Sequence, residues 1–204
     1  MPRRQRIAYE NAHYHIFNRA ASRKTACFTA DHYAYFLKLL GELTVKYSVK
    51  IYAYCMMSNH YHIYLSTPEG NISKAMWYFG RQFSLYINQS INADGPLFRG
   101  RFRDVLVDSD AYALQLTRYI HLNPVTAGLV KTPESYAWSS YLHYIHASDR
   151  PRFLDTTFIK NHFLNPAEFY EFTTLGVDKE TVSFYTNKWI GRILGGSDFR
   201  KKFQ

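Results

Sequence analysis

The fold of this chain is decided by the stretch Val49-Lys50-Ile51-Tyr52-Ala53-Tyr54-Cys55-Met56-Met57-Ser58-Asn59-His60-Tyr61-His62-Ile63-Tyr64-Leu65-Ser66. Val49–Met56 and His60–Ser66 each have the composition of a β-strand. The segment between them, Met57–Asn59, is short enough for a hairpin. We therefore predict two strands joined by a tight connection.

A helix is predicted on each side of this hairpin. Asp31–Tyr47 precedes it, with Thr29 or Asp31 as the candidate N-cap, and Asn71–Asn88 follows it, with Asn71 as the N-cap. Apolar residues recur at helical spacing in both segments, which predicts one buried face on each helix. Those residues are Tyr35, Phe36, Leu39, Leu40, Leu43, Met76, Phe79, Phe83 and Ile87.

Two further strands and a third helix complete the pattern. His13–Phe17 begins a short strand, and Arg101–Val107 alternates after the break at Gly95-Pro96. Ser109 or Asp110 then opens a helix that carries Tyr119. The order is βαββαβ followed by a helix, which predicts an α+β fold with a ferredoxin-like antiparallel sheet.

The pattern weakens after Tyr144, and Ser148–Pro151 is the candidate boundary. The remainder has short helical runs, notably Pro166–Thr173 and Thr181–Leu194. We therefore predict one domain over residues 1–147 and a helical C-terminal extension over residues 148–204.

The composition favours a nucleic-acid partner. Among 204 residues, 25 Lys and Arg against 16 Asp and Glu give a net charge of +9, which fits a polyanion. A basic protein without such a partner is the alternative interpretation. The 18 tyrosines could stack on unpaired bases, although most aromatic residues are expected in or near the core.

No sequence feature predicts export or membrane insertion. The longest stretch without Asp, Glu, Lys or Arg, Ile51–Pro68, contains polar residues and is a poor membrane span. The basic start Met1–Arg6 is not followed by an apolar segment, and two cysteines do not indicate a disulfide scaffold. We therefore expect a cytoplasmic protein with no membrane partner.

His60 and His62 are the first candidate site residues. Alternate strand residues share a face, so the two imidazoles project together and could bind one divalent ion, while Tyr61 faces the packed side. Two half-buried strand histidines are the alternative interpretation, and we apply it to the second copy of this pattern, His13 and His15.

Tyr119 and Asn123 form a second candidate pair. At i and i+4 they share one face of the predicted helix, and Pro124 predicts a kink or an end of that helix at Asn123. By spacing alone, the favoured interpretation is that Tyr119 is a core aromatic residue and Asn123 a C-terminal cap.

Two groups of arginines are candidate DNA-binding residues. Arg99, Arg101 and Arg103 alternate along the predicted strand and would present cations to a DNA backbone on one face; a solvated edge strand is the alternative. Arg3, Arg4 and Arg6 form a basic arm that could enter a groove or grip a hairpin stem; the alternative is a disordered tail.

Five segments of the chain match a known family in the same order. They are His15–Arg19, Tyr52–His62, Leu97–Phe102, Arg118–Val130 and Trp138–Tyr141. Through them the chain resembles the REP-associated tyrosine transposases and, more distantly, the single-tyrosine transposases of simple insertion sequences, which belong to the HUH superfamily. The resemblance covers about residues 9–146. Two positions depart from the pattern, Ala20 where many relatives have Gly and Ser58 where Pro is common.

This resemblance implies roles for the candidate residues. It implies that His60 and His62 bind a divalent metal, Mg²⁺ or Mn²⁺, that Asn123 is a third, amide-bearing ligand, and that Tyr119 is the nucleophile. A phenol is a weak nucleophile unless it is activated, and a cation would polarise the phosphate. Residues 1–147 would then be an HUH-type nuclease domain.

The implied activity is a single-strand DNA endonuclease and strand transferase that acts at hairpin-forming repeats through a 5′-phosphotyrosine intermediate. Such a transposase would be nucleoid-associated and could be a homodimer. The covalent bond conserves the energy for rejoining, which agrees with the lack of a Gly-x-x-x-x-Gly-Lys-Ser/Thr motif. Two alternatives stay open, a domesticated, non-catalytic DNA-binding protein on the same fold and a metal-dependent nuclease that uses water.

Overall fold

The computed structural model of the protein describes residues 6–21, 29–146, 150–176 and 193–203. Its first seven elements have the order βαββαβα, which confirms the predicted sequence of strands and helices. The elements are β1 (Ala12–Arg19), α1 (Ala30–Tyr47), β2 (Lys50–Met56), β3 (His60–Thr67), α2 (Ile72–Ser90), β4 (Arg103–Val107), α3 (Ser109–Thr126), a 3₁₀ turn (Pro133–Ser135), α4 (Leu142–Ile145), α5 (Thr157–Lys160), α6 (Pro166–Thr174), β5 (Ile193–Leu194) and α7 (Ser197–Lys201).

The strands form one sheet in the order β2-β3-β1-β4-β5. The pairs β2–β3, β3–β1 and β1–β4 are antiparallel, and only the short β5 runs parallel to its neighbour β4. The predicted hairpin is present, since the backbone N–H of Met57 donates to the carbonyl of His60 at 2.8 Å. The predicted ferredoxin-like α+β fold is therefore confirmed.

Helices cover both faces of the sheet. On one face, Phe36 of α1 and Phe79 of α2 pack against Tyr61 of β3, and all three side chains are buried. On the other face, which we call the α3 face, Leu116 and Ile120 of α3 are buried together with strand residues. Side chains alternate between the two faces along β3. Tyr61 therefore packs against α1 and α2, whereas His60 and His62 lie on the α3 face.

The C-terminal part of the chain packs onto the same cores. Leu154, Ile159, Phe169 and Leu194 are all buried in them. Helix α6 confirms the predicted helix Pro166–Thr173, and its N-cap Asn165 accepts a hydrogen bond from the backbone N–H of Glu168 at 3.0 Å. Most of the predicted run Thr181–Leu194 lies outside the described residues. Its last two residues form β5, so the helical prediction is wrong there.

Both outer strands of the antiparallel part of the sheet, β2 and β4, have backbone partners within the chain. On β2, the N–H of Met56 donates to the carbonyl of Trp138, and the N–H of Asp155 donates to the carbonyl of Ile51. On β4, the parallel strand β5 takes the outward position. A second copy therefore cannot extend the sheet at these positions, and the predicted homodimer stays a prediction.

Two predicted boundaries are wrong for identifiable reasons. β4 begins at Arg103, because the residues just before it cross the end of β1 irregularly, with the N–H of Arg99 donating to the carbonyl of Arg19. Of the kink or helix end predicted at Pro124, the end is wrong, because helix α3 continues to Thr126 and the N–H of Ala127 donates to the carbonyl of Asn123. Within the described ranges no helix is long and apolar enough to cross a membrane.

Candidate active site

β3 carries His60 and His62 on the α3 face. The antiparallel register with β1 places Phe17 opposite His62 and Arg19 opposite His60. His62 is buried, whereas His60, the first residue of the strand, is partly exposed. The two imidazole rings meet at right angles with centroids 5.2 Å apart. His62 therefore lies in the interior of the domain, and His60 lies at its surface.

Helix α3 places Tyr119 and Asn123 directly over this pair. The Tyr119 ring lies edge-on to His62, with centroids 5.6 Å apart. Nδ2 of Asn123 donates to the backbone carbonyl of Tyr119 at 2.9 Å, and its side chain is close enough to the Tyr119 hydroxyl and the His60 ring to influence the pKa of each. The structure thus brings the four predicted residues together, while their chemical roles stay predictions.

Asn59 orients the outer histidine, which the sequence had not singled out. Its Oδ1 lies 2.5 Å from Nδ1 of His60. An amide oxygen can only accept, so Nδ1 of His60 is the donor and Nε2 of the neutral ring carries the lone pair. His60 is therefore held in the tautomer that can bind a cation through Nε2.

Both histidines are neutral at physiological pH. Burial, with a smaller contribution from the Arg19 guanidinium, lowers the pKa of His60 to about 4. Burial and the neighbouring imidazoles of His15 and His60 lower the pKa of His62 well below its ordinary value. Neutral imidazole is the form that binds metals, so protons do not compete for these nitrogens near pH 7.

The phenol of Tyr119 is protonated at neutral pH. Burial raises its pKa above the ordinary value of 10.0, and the hydrogen bond from Asn123 offsets part of that rise. This partly buried phenol is therefore a weak nucleophile until something stabilises its anion. Asn123 contributes to that stabilisation from one helical turn away.

His15 joins the site although the sequence interpretation had given it only a packing role. Its Nε2 lies 2.8 Å from Nδ1 of His62, and the residue is 1% exposed. Burial lowers the pKa of His15 to about 3. The signal that could have found it is the repeated His-x-His pattern on β1, read together with the pairing of β1 and β3.

His13, two residues earlier on the same face, lies elsewhere. Its Nδ1 is hydrogen-bonded to the Tyr64 hydroxyl at 2.9 Å, and its ring stacks on Tyr52 with centroids 5.2 Å apart. The packing role expected of His13 agrees with these contacts.

The donor set at the site fits a divalent cation. The two neutral imidazoles lie side by side, and the Asn123 side chain is near enough to His60 to influence its pKa. Within the described part of the chain no three His, Cys, Asp or Glu side chains group as metal ligands. The predicted third protein ligand is the amide oxygen of Asn123, and that role stays a prediction. Three neutral ligands leave positions open for phosphate oxygens and water, as in a catalytic site.

The predicted DNA-binding arginines do not form one strand face. Arg3 and Arg4 lie outside the described residues. Arg99, Arg101 and Arg103 are all exposed, but only Arg103 belongs to β4, where it pairs with Phe17 and so shares the face of His62. The predicted alternation of the three along a strand is therefore wrong, although each stays available to a phosphate.

Arg6 is held against the domain. Its Nε donates to Oδ1 of Asp104 at 2.7 Å, its guanidinium donates to the carbonyl of Phe102, and it stacks over the Phe102 ring at 3.8 Å. Arg6 is thus a partly neutralised residue of the fold, not part of a free basic arm.

A groove on the other face of the sheet was not predicted. It has a volume of about 840 Å³ and runs between α2 and residues 95–102. Trp77 is 65% exposed at its edge. Among the described residues that line it there are four cations, Arg6, Lys74, Arg81 and Arg101, and no Asp or Glu. The spacing of Lys74, Trp77 and Arg81 along one helix was the available signal.

Comparison with known protein families gives a match over more than half of the chain. The family model of IS200-like transposases matches residues 8–123, which include β1 and the four candidate residues. No curated protein matches the chain significantly.

One solved structure has the same fold. A REP-associated tyrosine transposase bound to a REP hairpin is 18% identical, with a TM-score of 0.61 over 77% of this chain and 94% of that chain. A proposed transposase from Deinococcus radiodurans R1 is 16% identical over 58% of this chain and 95% of that chain. Its TM-score of 0.39 is too low to establish a shared fold.

Proposed function

The chain belongs to the family of IS200-like transposases, and from that premise we propose that it cuts and rejoins single-stranded DNA at hairpin-forming repeats through a covalent bond to Tyr119. The observation that carries this proposal is the position of Tyr119. Its ring lies edge-on to His62, while Asn123 of the same helix influences the pKa of both Tyr119 and His60.

The proposed reaction conserves the number of phosphodiester bonds. The Tyr119 oxygen attacks the scissile phosphorus and its phenolic proton passes to water, while the bond from phosphorus to the 3′ oxygen breaks. The products are a 5′-phosphotyrosine and a free 3′-hydroxyl. In the reverse step another 3′-hydroxyl attacks the phosphotyrosine and releases the phenol, so rejoining needs no ATP.

His60, His62 and Asn123 would hold the Mg²⁺ or Mn²⁺ ion in this proposal. When bound, the ion supplies charge neutralisation at the scissile phosphate and orients it. Neighbouring protein residues orient the metal ligands and stabilise the nucleophile. Asn59 keeps His60 in the ligand-competent tautomer, and Asn123 stabilises the developing phenolate through its hydrogen bond to Tyr119.

The cationic surfaces support a DNA substrate. Arg99 and Arg101 are exposed beside the end of the sheet that carries His60, and Arg101 also lines the groove with Trp77. Cations suit phosphates, and an exposed indole suits an unpaired base. A hairpin with an unpaired flank offers both. The relative solved with a REP hairpin makes this substrate class the one to test first, in the cytoplasm at the nucleoid.

The domain proposal follows from the same residues. Tyr119, Asn123 and the two histidines all lie within residues 1–147, which we propose as the nuclease domain. Residues 148–204 would be the C-terminal extension, and its described parts stabilise the α3 face through Phe169 and Leu194.

A covalent adduct distinguishes this function from its two rivals. The protein would be incubated with Mn²⁺ and single-stranded DNA from the region flanking its own gene, labelled at the 3′ end. A 5′-phosphotyrosine retains the 3′ fragment, so the label should migrate with the protein on denaturing gels. Cleavage without an adduct would indicate a nuclease that uses water. Binding without cleavage would indicate a non-catalytic DNA-binding protein.

Tyr119→Phe is the decisive variant, and Tyr112→Phe is its matched control. Tyr112 lies on the same helix and packs against the same core. The adduct should disappear in the first variant and persist in the second.

A further inference from the structure

We propose that His15 is a positioning residue that holds His62 in its Nδ1–H tautomer and so leaves Nε2 as the nitrogen available to a cation. This inference rests on the proposed metal site. It adds to that site a residue that is not itself a metal ligand. His15 would act only through His62.

The contact between the two residues is short and enclosed. Nε2 of His15 lies 2.8 Å from Nδ1 of His62, and the rings are nearly parallel, at 19°, with centroids 5.1 Å apart. Both side chains are buried. Because Phe17 pairs with His62 across the sheet, His15 is the diagonal neighbour on the same face, and the strand register sets the distance.

The chemistry of a neutral imidazole limits what this contact can be. Each ring carries one N–H and one lone pair. If His15 donated, His62 would keep its own proton on Nε2 and could not bind a cation there. If His62 donates from Nδ1, its Nε2 lone pair is free and His15 accepts. Only the second arrangement is compatible with His62 as a ligand through Nε2.

The outer histidine supports the second arrangement. His60 also has its Nδ1 tied to the protein, there by the Oδ1 of Asn59, which can only accept. Both candidate ligands are thus held by the same nitrogen, which leaves Nε2 of each ring for the site. His15 thus orients the buried His62 as Asn59 orients the partly exposed His60, in each case through Nδ1.

The first test measures the tautomer of His62 without metal. In ¹⁵N-histidine-labelled protein, wild-type His62 should show a protonated Nδ1 and an unprotonated Nε2. His15→Leu removes the acceptor and should shift His62 towards the Nε2–H form. His15→Gln offers an amide oxygen as acceptor and should retain the Nδ1–H form. A wild-type His62 in the Nε2–H form would overturn the inference, as would an unchanged tautomer in the folded Leu variant.

The second test measures Mn²⁺ affinity by calorimetry on the full chain. Loss of a partner that orients a ligand typically lowers metal affinity 10- to 100-fold, so we expect about that loss for His15→Leu and near wild-type affinity for His15→Gln. His13→Leu is the matched control, since His13 contacts Tyr64 and not a candidate ligand. Equal affinity in both Leu variants would overturn the inference. A wild-type protein with the Nδ1–H tautomer but no Mn²⁺ binding would support the hydrogen bond and contradict the metal site instead.

Discussion

The ring of Tyr119 on α3 meets the ring of His62 on β3 edge-on, with centroids 5.6 Å apart and planes at 88°. The two residues belong to elements that are held together by the buried side chains of Leu116 and Ile120. The relation between the proposed nucleophile and the proposed metal ligands therefore depends on the packing of one helix on the sheet. Variants that change chemistry without changing that packing are the informative ones.

The proposed metal ligands should be needed for cleavage and much less for DNA binding. A catalytic cation contributes several kcal/mol to charge stabilisation in the transition state, so His60→Ala or His62→Ala should lower the cleavage rate at least about 100-fold. EDTA should do the same to the wild type. His13→Ala is the control and should stay active. Full activity of the His60/His62 double variant in chelator would remove the metal site from consideration.

The pH dependence of cleavage should report the phenol of Tyr119. Its pKa is raised by burial and partly restored by Asn123, and only the phenolate attacks well. Below that pKa each pH unit should raise the phenolate population about tenfold, so the rate should rise with pH above neutrality. Asn123→Ala removes the offsetting hydrogen bond and should shift the Tyr119 titration to higher pH. Tyrosine ¹³C NMR, with Tyr119→Phe for assignment, would measure it; an unshifted titration would contradict this role.

The groove beside α2 should contribute base stacking. Trp77→Ala should weaken binding of single-stranded DNA by about 1–3 kcal/mol per stacked base. A Cβ at Gly80 would meet no atom within 4 Å, so Gly80→Leu should fold normally and occupy the groove, which should also weaken binding. Gly80→Ala is the matched control with little added volume. Fluorescence anisotropy of labelled oligonucleotides would measure all three, and unchanged affinity in both Trp77→Ala and Gly80→Leu would exclude the groove as a DNA site.

The exposed arginines should determine the salt dependence of binding. Each phosphate contact on a single strand contributes about 0.7 to the slope of log affinity against log salt. Replacing Arg99, Arg101 and Arg103 by Ala should therefore reduce the slope by up to about 2.

Hairpin DNA should bind more tightly than linear or duplex DNA, and part of that preference should survive high salt because stacking is not ionic. Titrations at two salt concentrations test this, and equal affinity for all three DNAs would leave only a generic basic protein.

Buried His121 should make the fold sensitive to acid. Burial lowers its pKa from 6.5 to about 3, and its Nε2 is hydrogen-bonded to the Ser140 hydroxyl at 2.8 Å. The unfolded chain therefore binds the proton first, so stability is lost as the pH falls from 6.5 towards 3. One such group contributes about 1.4 kcal/mol per pH unit in that window. His121→Gln should reduce the slope by about that amount in urea unfolding between pH 7 and pH 4, and an unchanged slope would contradict it.

The sequence by itself determined the features that repeat within one segment. Alternation along β3 placed His60 and His62 on one face with Tyr61 buried on the other, and the interval from Tyr119 to Asn123 placed both on one face of a helix. The structure agrees with each of these predictions. Such periodicities are local consequences of strand and helix geometry, so no knowledge of distant neighbours is needed to read them.

Only the tertiary structure decided which segments meet. Strands pair through backbone groups that nearly every residue possesses. The sequence around His15 therefore does not predict that His15 will lie beside His62. The pairing of Arg6 with Asp104, which holds Arg6 against the domain, also joins residues far apart in the chain. The groove beside Trp77 likewise exists only because a loop crosses in front of α2. Long-range register and packing depend on the summed burial of the whole core, and a single sequence segment does not contain that information.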